Sequence, residues 1–194
     1  MSTSGAASAL TRTLDGQAVP TAGSFALDPA HSHVGFSVRH MMIAKVRGRF
    51  TGVSGRLEVA DDPAESTVEI DVDVSSIDTR EEQRDGHLRS PDFFDVETYP
   101  KMTFRGTGIS PAGEGRFELE GELTVRDVTR PLTLDVSYNG VGQDPWGNQR
   151  VGFDASGDVN REDFGLTWNQ ALETGGVLVG QQAKIEIEAE FVRQ

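Results

Sequence analysis

The sequence predicts an all-β protein that folds as an eight-stranded antiparallel β-barrel with a short helical insert. The first observation is that apolar and polar residues alternate almost from end to end, which is typical of strands with one buried and one solvated face. The second is that most connections are short and rich in turn-forming residues. The third is that glycine recurs inside the strand segments.

The alternation divides the chain into about eight strands. The clearest segment is "STVEIDVDVSS", in which every second residue from Val68 to Val74 is apolar and the residues between are acidic. "RFELEGELTVR" and "AKIEIEAEFV" repeat this pattern. Weaker alternation covers residues 32–41, 44–60, 99–109, 130–139 and 150–159.

The connections predict antiparallel neighbours and one insert. "ADDPAE", "SPAGEG", "RDVTRP" and "GQDPWGNQ" carry residues that reverse a chain, and connections this short exclude parallel crossovers. The long segment "DTREEQRDGHLRSPDFFDVETYP" predicts a helix of about ten residues, opened by a capping box of Thr79 and Glu82. Ser90 and Pro91 suit a second, shorter helical turn. Asn160 is a predicted cap in "NREDFG".

Periodicity alone does not choose between a barrel and a sandwich, and the glycines favour the barrel. A glycine inside a strand weakens it unless the chain bends sharply or another group approaches closely, and barrel corners need such bends. Corner bends and room for a ligand both remain open as interpretations. The strand glycines are Gly48, Gly52, Gly55, Gly106, Gly108, Gly121 and Gly157.

Composition narrows the function classes. A net charge of −13 disfavours nucleic acid as a partner, and the absence of cysteine excludes thiolate metal sites. Residues 1–23 are predicted to be a disordered tail, and residues 24–194 a single barrel domain. The tail lacks the apolar run of a signal peptide, and no apolar segment is long enough to span a membrane. We therefore expect a cytoplasmic protein.

The four histidines do not predict a metal site. His31 and His33 share one face of a strand, whereas His40 has the opposite parity and points to the other face unless a bulge intervenes. His87 lies in the predicted helix. No nucleophile elbow, phosphate loop or zinc-protease motif is present, so the sequence predicts a binding protein and not an enzyme. A histidine-based metal protein or enzyme is the alternative.

Aromatic residues cluster near the predicted barrel ends. Phe93 and Phe94 lie in the insert, and "NREDFGLTWN" adds Phe164, Leu166 and Trp168. Two interpretations remain open: a lid over an elongated cavity, or ordinary core that plugs the barrel. A plugged barrel would fit a structural or stress-response protein.

Motifs that follow one another from about Phe25 to Phe191 resemble the YceI-like family of polyisoprenoid-binding, lipocalin-like proteins. They are "LDPAHSHVGFSVRHM", "VRGRFTGVSG", "SIDTREEQRDGHLRSPDFFDVETYPKMTFRG", "LEGELTVRDVTRPLTLDV" and "NREDFGLTWN" before "VGQQAKIEIEAEF". The resemblance implies a barrel that holds a polyprenyl phosphate or a quinone tail, and a carrier that forms homodimers and is often periplasmic. Without a signal peptide, a cytoplasmic store, sensor or shuttle is the expectation here.

The resemblance and the strand pattern together give a candidate ligand site. No cofactor is expected other than the bound isoprenoid lipid or quinone. The predicted cavity lining is Phe36, Val38, Phe50, Val72, Met102, Phe104, Leu123, Leu134, Phe153 and Trp168. The predicted headgroup contacts near the mouth are His33, Arg47, Arg80 and His87.

Overall fold

A computed structural model describes residues 11–14 and 17–194 of the chain. Thirteen strands and one α-helix, α1 (Glu82–Arg89), are present in these residues. The strands are β1 (Thr11–Leu14), β2 (Gln17–Pro20), β3 (Gly23–Leu27), β4 (His33–His40), β5 (Ala44–Phe50), β6 (Val53–Val59), β7 (Thr67–Asp73), β8 (Ile77–Asp78), β9 (Lys101–Gly113), β10 (Arg116–Val125), β11 (Val128–Gln143), β12 (Gln149–Asn160) and β13 (Val179–Arg193).

Strands β3 to β13 form one closed antiparallel barrel. The strand pairs β3/β4, β5/β6 and β7/β8 each make one interrupted barrel strand, because both members of a pair contact the same neighbours. Strands β9 to β13 follow as a meander, and β13 closes the ring by pairing with β12 on one side and with β3 and β4 on the other. The predicted eight-stranded antiparallel barrel with a helical insert is confirmed.

The barrel has two chemically different ends. The helix end carries α1, the turn between β4 and β5, and the loop of residues 161–178. The hairpin end carries β1, β2 and the turns at residues 60–66 and 144–148. Strand parity sets which side chains face inward: Val34 and Phe36 of β4 lie opposite Ile187 and Ile185 of β13.

Helix α1 begins with a different cap from the one predicted. The Glu81 carboxylate accepts hydrogen bonds from the backbone amides of Gln83 (3.1 Å) and Arg84 (2.6 Å). Thr79 instead bonds the buried Asp85, whose carboxylate accepts from the Thr79 amide at 2.9 Å and from its hydroxyl at 2.5 Å. The predicted capping box of Thr79 and Glu82 is therefore wrong. The Thr79 side chain instead anchors the helix to the preceding strand. The helix is eight residues long.

The predicted caps further along the chain have different outcomes. Asn160 caps the 3₁₀ turn Arg161–Phe164, accepting from the Glu162 amide at 3.0 Å as expected. Ser90 accepts from the Asp92 amide at 3.3 Å, but the segment that follows forms hydrogen-bonded turns and not a second helix.

Part of the predicted disordered tail is a hairpin. Strands β1 and β2 pair antiparallel, with Thr11 opposite Pro20. The Arg12 guanidinium donates to the backbone carbonyls of Ala60 and Asp61, each at 2.5 Å, so the hairpin is tied to the turn after β6. Residues 1–10 and 15–16 lie outside the described residues.

Glycines on the inward face lie beneath aromatic rings. Phe36 pairs directly with Gly48, and a Cβ at Gly48 would lie 2.4 Å from the tip of the Phe36 ring. A Cβ at Gly121 would likewise lie 2.3 Å from the Phe104 ring. Each ring therefore lies against the barrel wall, where a larger residue would push it toward the axis. These glycines make room for side chains of the barrel itself.

Candidate functional site

One elongated cavity of about 700 Å³ runs through the barrel. Its lining reaches from Pro20 and Leu27 at the hairpin end to His40 and Trp168 at the helix end. Along β13 the lining extends from Val179 to Phe191, which corresponds to about 30 Å along the axis for a tilted strand. The volume lies in the range of small-molecule sites. This space argues against the alternative of a filled barrel.

The cavity brings together most of the predicted site residues. The ten apolar residues and His87 all contribute to its wall: Phe36, Val38, Phe50, Val72, Met102, Phe104, Leu123, Leu134, Phe153, Trp168 and His87. Their inward orientation follows from strand parity for all but Trp168 and His87, which belong to the loop after β12 and to α1. Their contact with a ligand remains a prediction.

Three predicted headgroup residues are not part of the cavity wall. His33 precedes the inward-facing Val34, so its side chain lies on the outer surface, where it is exposed. Arg47 has the same outward parity on β5 and is exposed. Arg80 is an exposed turn residue with φ of 62°. None of the three is among the lining residues, so the mouth has other polar groups.

Three rings form a cluster across the helix end. His87 makes edge-to-face contacts with Trp168 (4.7 Å between centroids) and Phe93 (5.1 Å), and Phe93 contacts Trp168 at 5.4 Å. The His87 Nε2 lies 2.9 Å from the Asp92 carboxylate. Phe93 is buried, whereas His87 and Trp168 are partly exposed. Phe93 and Trp168 thus belong to a hydrophobic core cluster and also line the cavity.

The polar groups that the sequence interpretation missed lie beside these rings. Arg84 lines the cavity, and its guanidinium donates to the Thr79 hydroxyl at 2.7 Å and carbonyl at 2.8 Å. Its spacing of three residues from His87 on one helix is the signal that places the two on the same face. Arg39 and His40 also line the cavity at this end.

Arg161 supplies a buried cation at the same end. Its guanidinium donates to the carbonyls of Gly180 (2.8 Å), Trp168 (3.0 Å) and Leu166, which holds the loop after β12 against β13. Burial lowers its pKa, against a smaller opposite effect of Glu162. No sequence pattern reveals this residue, because its partners are backbone carbonyls distant along the chain.

At the hairpin end the barrel is held by buried side chains and ordered polar contacts. Phe25 is fully buried, and the Arg193 guanidinium lies 5.5 Å from its ring centroid. Arg193 also donates to the Thr21 hydroxyl (3.0 Å) and the Ala22 carbonyl (2.7 Å). Above them Tyr138 lines the cavity, and its buried hydroxyl has no hydrogen-bond partner among the described residues. Burial raises the Tyr138 pKa.

One cluster in the described part of the chain has the composition of a metal site, and an arginine occupies it. Donor atoms of Asp28, His31 and Glu190 lie within 4.8 Å of one another. The Arg150 guanidinium bonds Asp28 at 2.7 Å, Asp144 at 2.9 Å and also Glu190. The hydrogen bond from Arg150, followed by that from His31, lowers the Asp28 pKa to about 2. A metal ion would have to displace this cation, so the cluster is an ion-pair network.

No helix in the described ranges has the length and apolarity needed to cross a membrane.

Comparison with known proteins places the chain among relatives of similar length. A UPF0312 protein of Staphylococcus epidermidis is 41% identical over 169 residues, covering 86% of this chain and 96% of the relative. A UPF0312 protein of Staphylococcus aureus is 39% identical over 171 residues, covering 87% and 96%.

Solved structures share the barrel. BcnA of Burkholderia cenocepacia superposes with a TM-score of 0.74 at 23% identity, over 84% of this chain and 98% of that one. A Campylobacter jejuni YCEI protein gives 0.68 at 29% identity, over 87% and 96%. A polyisoprenoid binding domain from Saccharophagus degradans, implicated in plant cell wall breakdown, gives 0.66 at 14% identity, over 90% and 100%.

A family model described as the YceI-like domain matches residues 25–191, which are the residues that build the closed barrel and its insert. The chain therefore belongs to the YceI-like family.

Proposed function

We propose that this protein binds a long-chain isoprenoid lipid, a polyprenyl phosphate or a quinone, inside the barrel and without catalysis. The observation that carries the proposal is the elongated apolar cavity of about 700 Å³. The Saccharophagus degradans domain, whose description states polyisoprenoid binding, supports the same ligand class. A role as carrier, store or sensor and a cytoplasmic location are parts of this proposal.

Apolar burial alone supplies enough affinity. Ligands of this size gain about 0.3 kcal/mol per heavy atom, so about 40 buried carbons correspond to about 12 kcal/mol, or a nanomolar dissociation constant. One isoprene unit of five carbons then contributes about 1.5 kcal/mol, or about tenfold in affinity. Affinity should rise stepwise with tail length until the tail fills the cavity.

We place the ligand headgroup at the helix end. Among the described residues, the carboxylates that line the cavity are Glu81, which already accepts from the helix amides, and Glu188, which lies further along β13. Arg84, His87 and Arg161 lie in the wall at the helix end. These donors suit the oxygens of a phosphate or a quinone. The wall near the hairpin end includes the Arg12 guanidinium, which already donates to the carbonyls of Ala60 and Asp61. The other side chains there are mainly apolar and suit the tail.

Tryptophan fluorescence tests the proposal. The chain has two tryptophans, so Trp146→Phe leaves Trp168 in the cavity wall as the sole reporter. Titration of this variant with quinones of increasing isoprenoid tail length should give saturable quenching at one equivalent. The dissociation constant should fall about tenfold for each added isoprene unit. A quinone with the same ring and no tail is the matched control ligand.

A pair of variants separates binding in the cavity from binding to the outer surface. Ala155→Phe adds a ring on the inner face of β12, where Ala155 lines the cavity. Asp154→Phe adds the same ring at the adjacent exposed position. Only Ala155→Phe should shorten the longest tail that binds. Affinity independent of tail length, or equal loss in both variants, would contradict the proposal.

A further inference from the structure

The hairpin of β4 and β5 is unusual in its charge. From residue 29 to residue 57 the sequence has no Asp or Glu, although the chain contains 31 of them. Arg39, Lys45 and Arg47 are exposed on this hairpin, and Arg39 lies directly opposite Lys45. A cationic surface thus occurs on a strongly acidic protein.

These cations are only partly neutralised by neighbouring strands. Arg49 pairs with Asp78 at 3.2 Å, and on β13 Glu186 pairs with Lys184 at 3.0 Å. Glu186 also attracts Arg47 and Lys45 electrostatically, but in the described ranges no carboxylate forms an ion pair with Arg39, Lys45 or Arg47. Part of their charge therefore remains available to an anionic surface.

The tip of the same hairpin is apolar and exposed. Met41, Met42 and Ile43 have 39%, 59% and 80% of their surface accessible. The only other large apolar residue that the structure describes as exposed is Trp146, at 82%, and it lies at the hairpin end. The Met41 amide donates to the Leu178 carbonyl at 2.8 Å, and the adjacent His40 lines the cavity. The tip thus stands at the rim of the cavity.

The turn at this tip carries residues that its backbone disfavours. Its central residues Met41 and Met42 have φ of 50° and 62°, and the Ile43 amide donates to the His40 carbonyl at 3.1 Å. Turns with positive φ at both central positions favour Asn-Gly, and side chains with a longer carbon stem are strained there. The two exposed methionines are therefore held in this turn at a cost in backbone strain.

We propose that the Met41–Ile43 tip and its flanking cations dock on an anionic lipid bilayer, which brings the helix end of the cavity to the membrane surface. The tip side chains enter the interfacial layer, and Arg39, Lys45 and Arg47 lie against the lipid phosphates. The exchange of ligand at that surface rests on the proposed function, whereas docking itself does not.

Two physical arguments favour a bilayer over a soluble polyanion. Flexible methionines and an isoleucine gain free energy in an apolar interfacial layer, and a nucleic acid offers no such layer in its phosphate backbone. Charge screening within about 10 Å lets the local cations act although the net charge of the whole protein is negative. The rest of the protein carries a net negative charge, which an anionic membrane surface repels. This repulsion orients the hairpin toward the membrane.

Vesicle sedimentation tests docking. Purified full-length protein is mixed with vesicles of phosphatidylcholine, or of phosphatidylcholine and phosphatidylglycerol in equal parts, without added isoprenoid. We expect binding to the anionic vesicles and its loss in high salt. Lys45→Glu with Arg47→Glu should weaken binding by about thirtyfold or more, because each cation contributes about 1 kcal/mol near an anionic surface.

A second variant removes the apolar tip side chains without lowering the stability of the fold. Met41→Asn, Met42→Gly and Ile43→Thr together give the turn the residues it favours, so the melting temperature should stay or rise while vesicle binding is lost. Trp146→Ala is the control at the opposite end and should bind like the unaltered protein. Equal binding by the tip variant, loss of binding with Trp146→Ala, or binding to a DNA duplex but not to vesicles would overturn the proposal.

A transfer assay reads ligand exchange separately. Tailed quinone is supplied either in detergent or in anionic vesicles, and quenching of Trp168 is followed in the Trp146→Phe background. The tip variant should bind the quinone from detergent with unchanged affinity but load at least about tenfold more slowly from vesicles. If no protein is quenched in detergent, the proposed function fails while sedimentation still decides docking. If loading from vesicles is equally fast, the exchange role fails alone.

Discussion

The hairpin end of the barrel is held by tight packing and fixed polar contacts, whereas the helix end has partly exposed rings beside an exposed tip. Phe25 is fully buried beneath Arg193, which bonds the chain before β3. At the other end His87 and Trp168 meet edge to face and remain partly exposed. We therefore expect that the hairpin end maintains the fold and that the helix end admits the proposed ligand.

The largest expected effect is a loss of stability, and it tests whether the two ends differ in this way. Phe25→Ala removes a fully buried ring at the hairpin end and should lower the free energy of unfolding by about 3–5 kcal/mol. Trp168→Ala at the helix end should cost less than half of that, because its ring is partly exposed, yet should speed dissociation of bound lipid. Urea denaturation and stopped-flow release measure the two quantities. Equal losses of stability would contradict the division.

The second effect concerns the space that the inward glycines provide. Gly48→Ala places a methyl group against the Phe36 ring, with the nearest ring carbon 2.4 Å from the new Cβ, so the ring should move into the cavity. We expect about tenfold weaker binding of the longest ligand and about 1 kcal/mol lower stability. Gly142→Ala is the matched control, since its Cβ meets nothing within 4 Å. Isothermal titration measures the change, and unaltered binding would show that the ring does not limit the cavity.

The third effect is a dependence of stability on pH that arises at the hairpin end. The Asp28 pKa is lowered to about 2, first by the hydrogen bond from Arg150 and then by that from His31. Because the unfolded carboxyl keeps its ordinary value of 3.8, this group stabilises the fold above about pH 4. That contribution should be lost as the pH falls toward about 2.

The Asp28→Asn variant checks the origin of this dependence. Its stability should be lower than that of the unaltered protein at pH 7 and should approach it near pH 2, as measured by urea denaturation across the range. Asp154→Asn changes an exposed strand carboxylate and serves as the control. If both variants leave the pH profile unchanged, the Arg150 network does not contribute to stability.

The smallest expected effect sharpens the orientation of the ligand. Tyr138→Phe removes a buried hydroxyl that has no partner in the described part of the chain, so stability should rise by less than about 1 kcal/mol. Affinity for tailed quinones should not change, because the headgroup is proposed to lie at the helix end. A clear loss of affinity would place a polar ligand atom beside Tyr138 and reverse the orientation.

Much of the barrel could be predicted, because the alternation of apolar and polar residues that specifies each strand is local in the sequence. Strand parity alone puts Phe36, Val72 and Leu134 on the inner face, and the structure has all three in the cavity wall. The same rule places His33 outside, since it precedes Val34 by one residue. The sequence prediction did not apply the rule to that histidine, and it assigned Arg47 by its charge although the parity of β5 points it outward.

The features that sequence interpretation missed depend on contacts between distant segments. Arg161 bonds the carbonyls of Gly180 and Trp168, and backbone acceptors leave no trace in residue type. Arg12 binds the carbonyls of Ala60 and Asp61 in the same way, which orders a stretch whose composition resembles a flexible linker. The polar groups at the helix end of the cavity and the contacts of the N-terminal hairpin therefore could not be predicted from the sequence.

The interruptions in the first three barrel strands have a mechanical consequence. They fall side by side, at residues 28–32, 51–52 and 74–76, whereas β9 to β13 run unbroken across the barrel for 10 to 16 residues. One side of the wall is thus a continuous sheet. The other side consists of two smaller sheets, β3, β6, β7 and β4, β5, β8, which are separated by these interruptions. We expect amide hydrogen exchange to be faster at these interruptions than in the central residues of β9 to β13, so that this side of the wall is the more easily deformed.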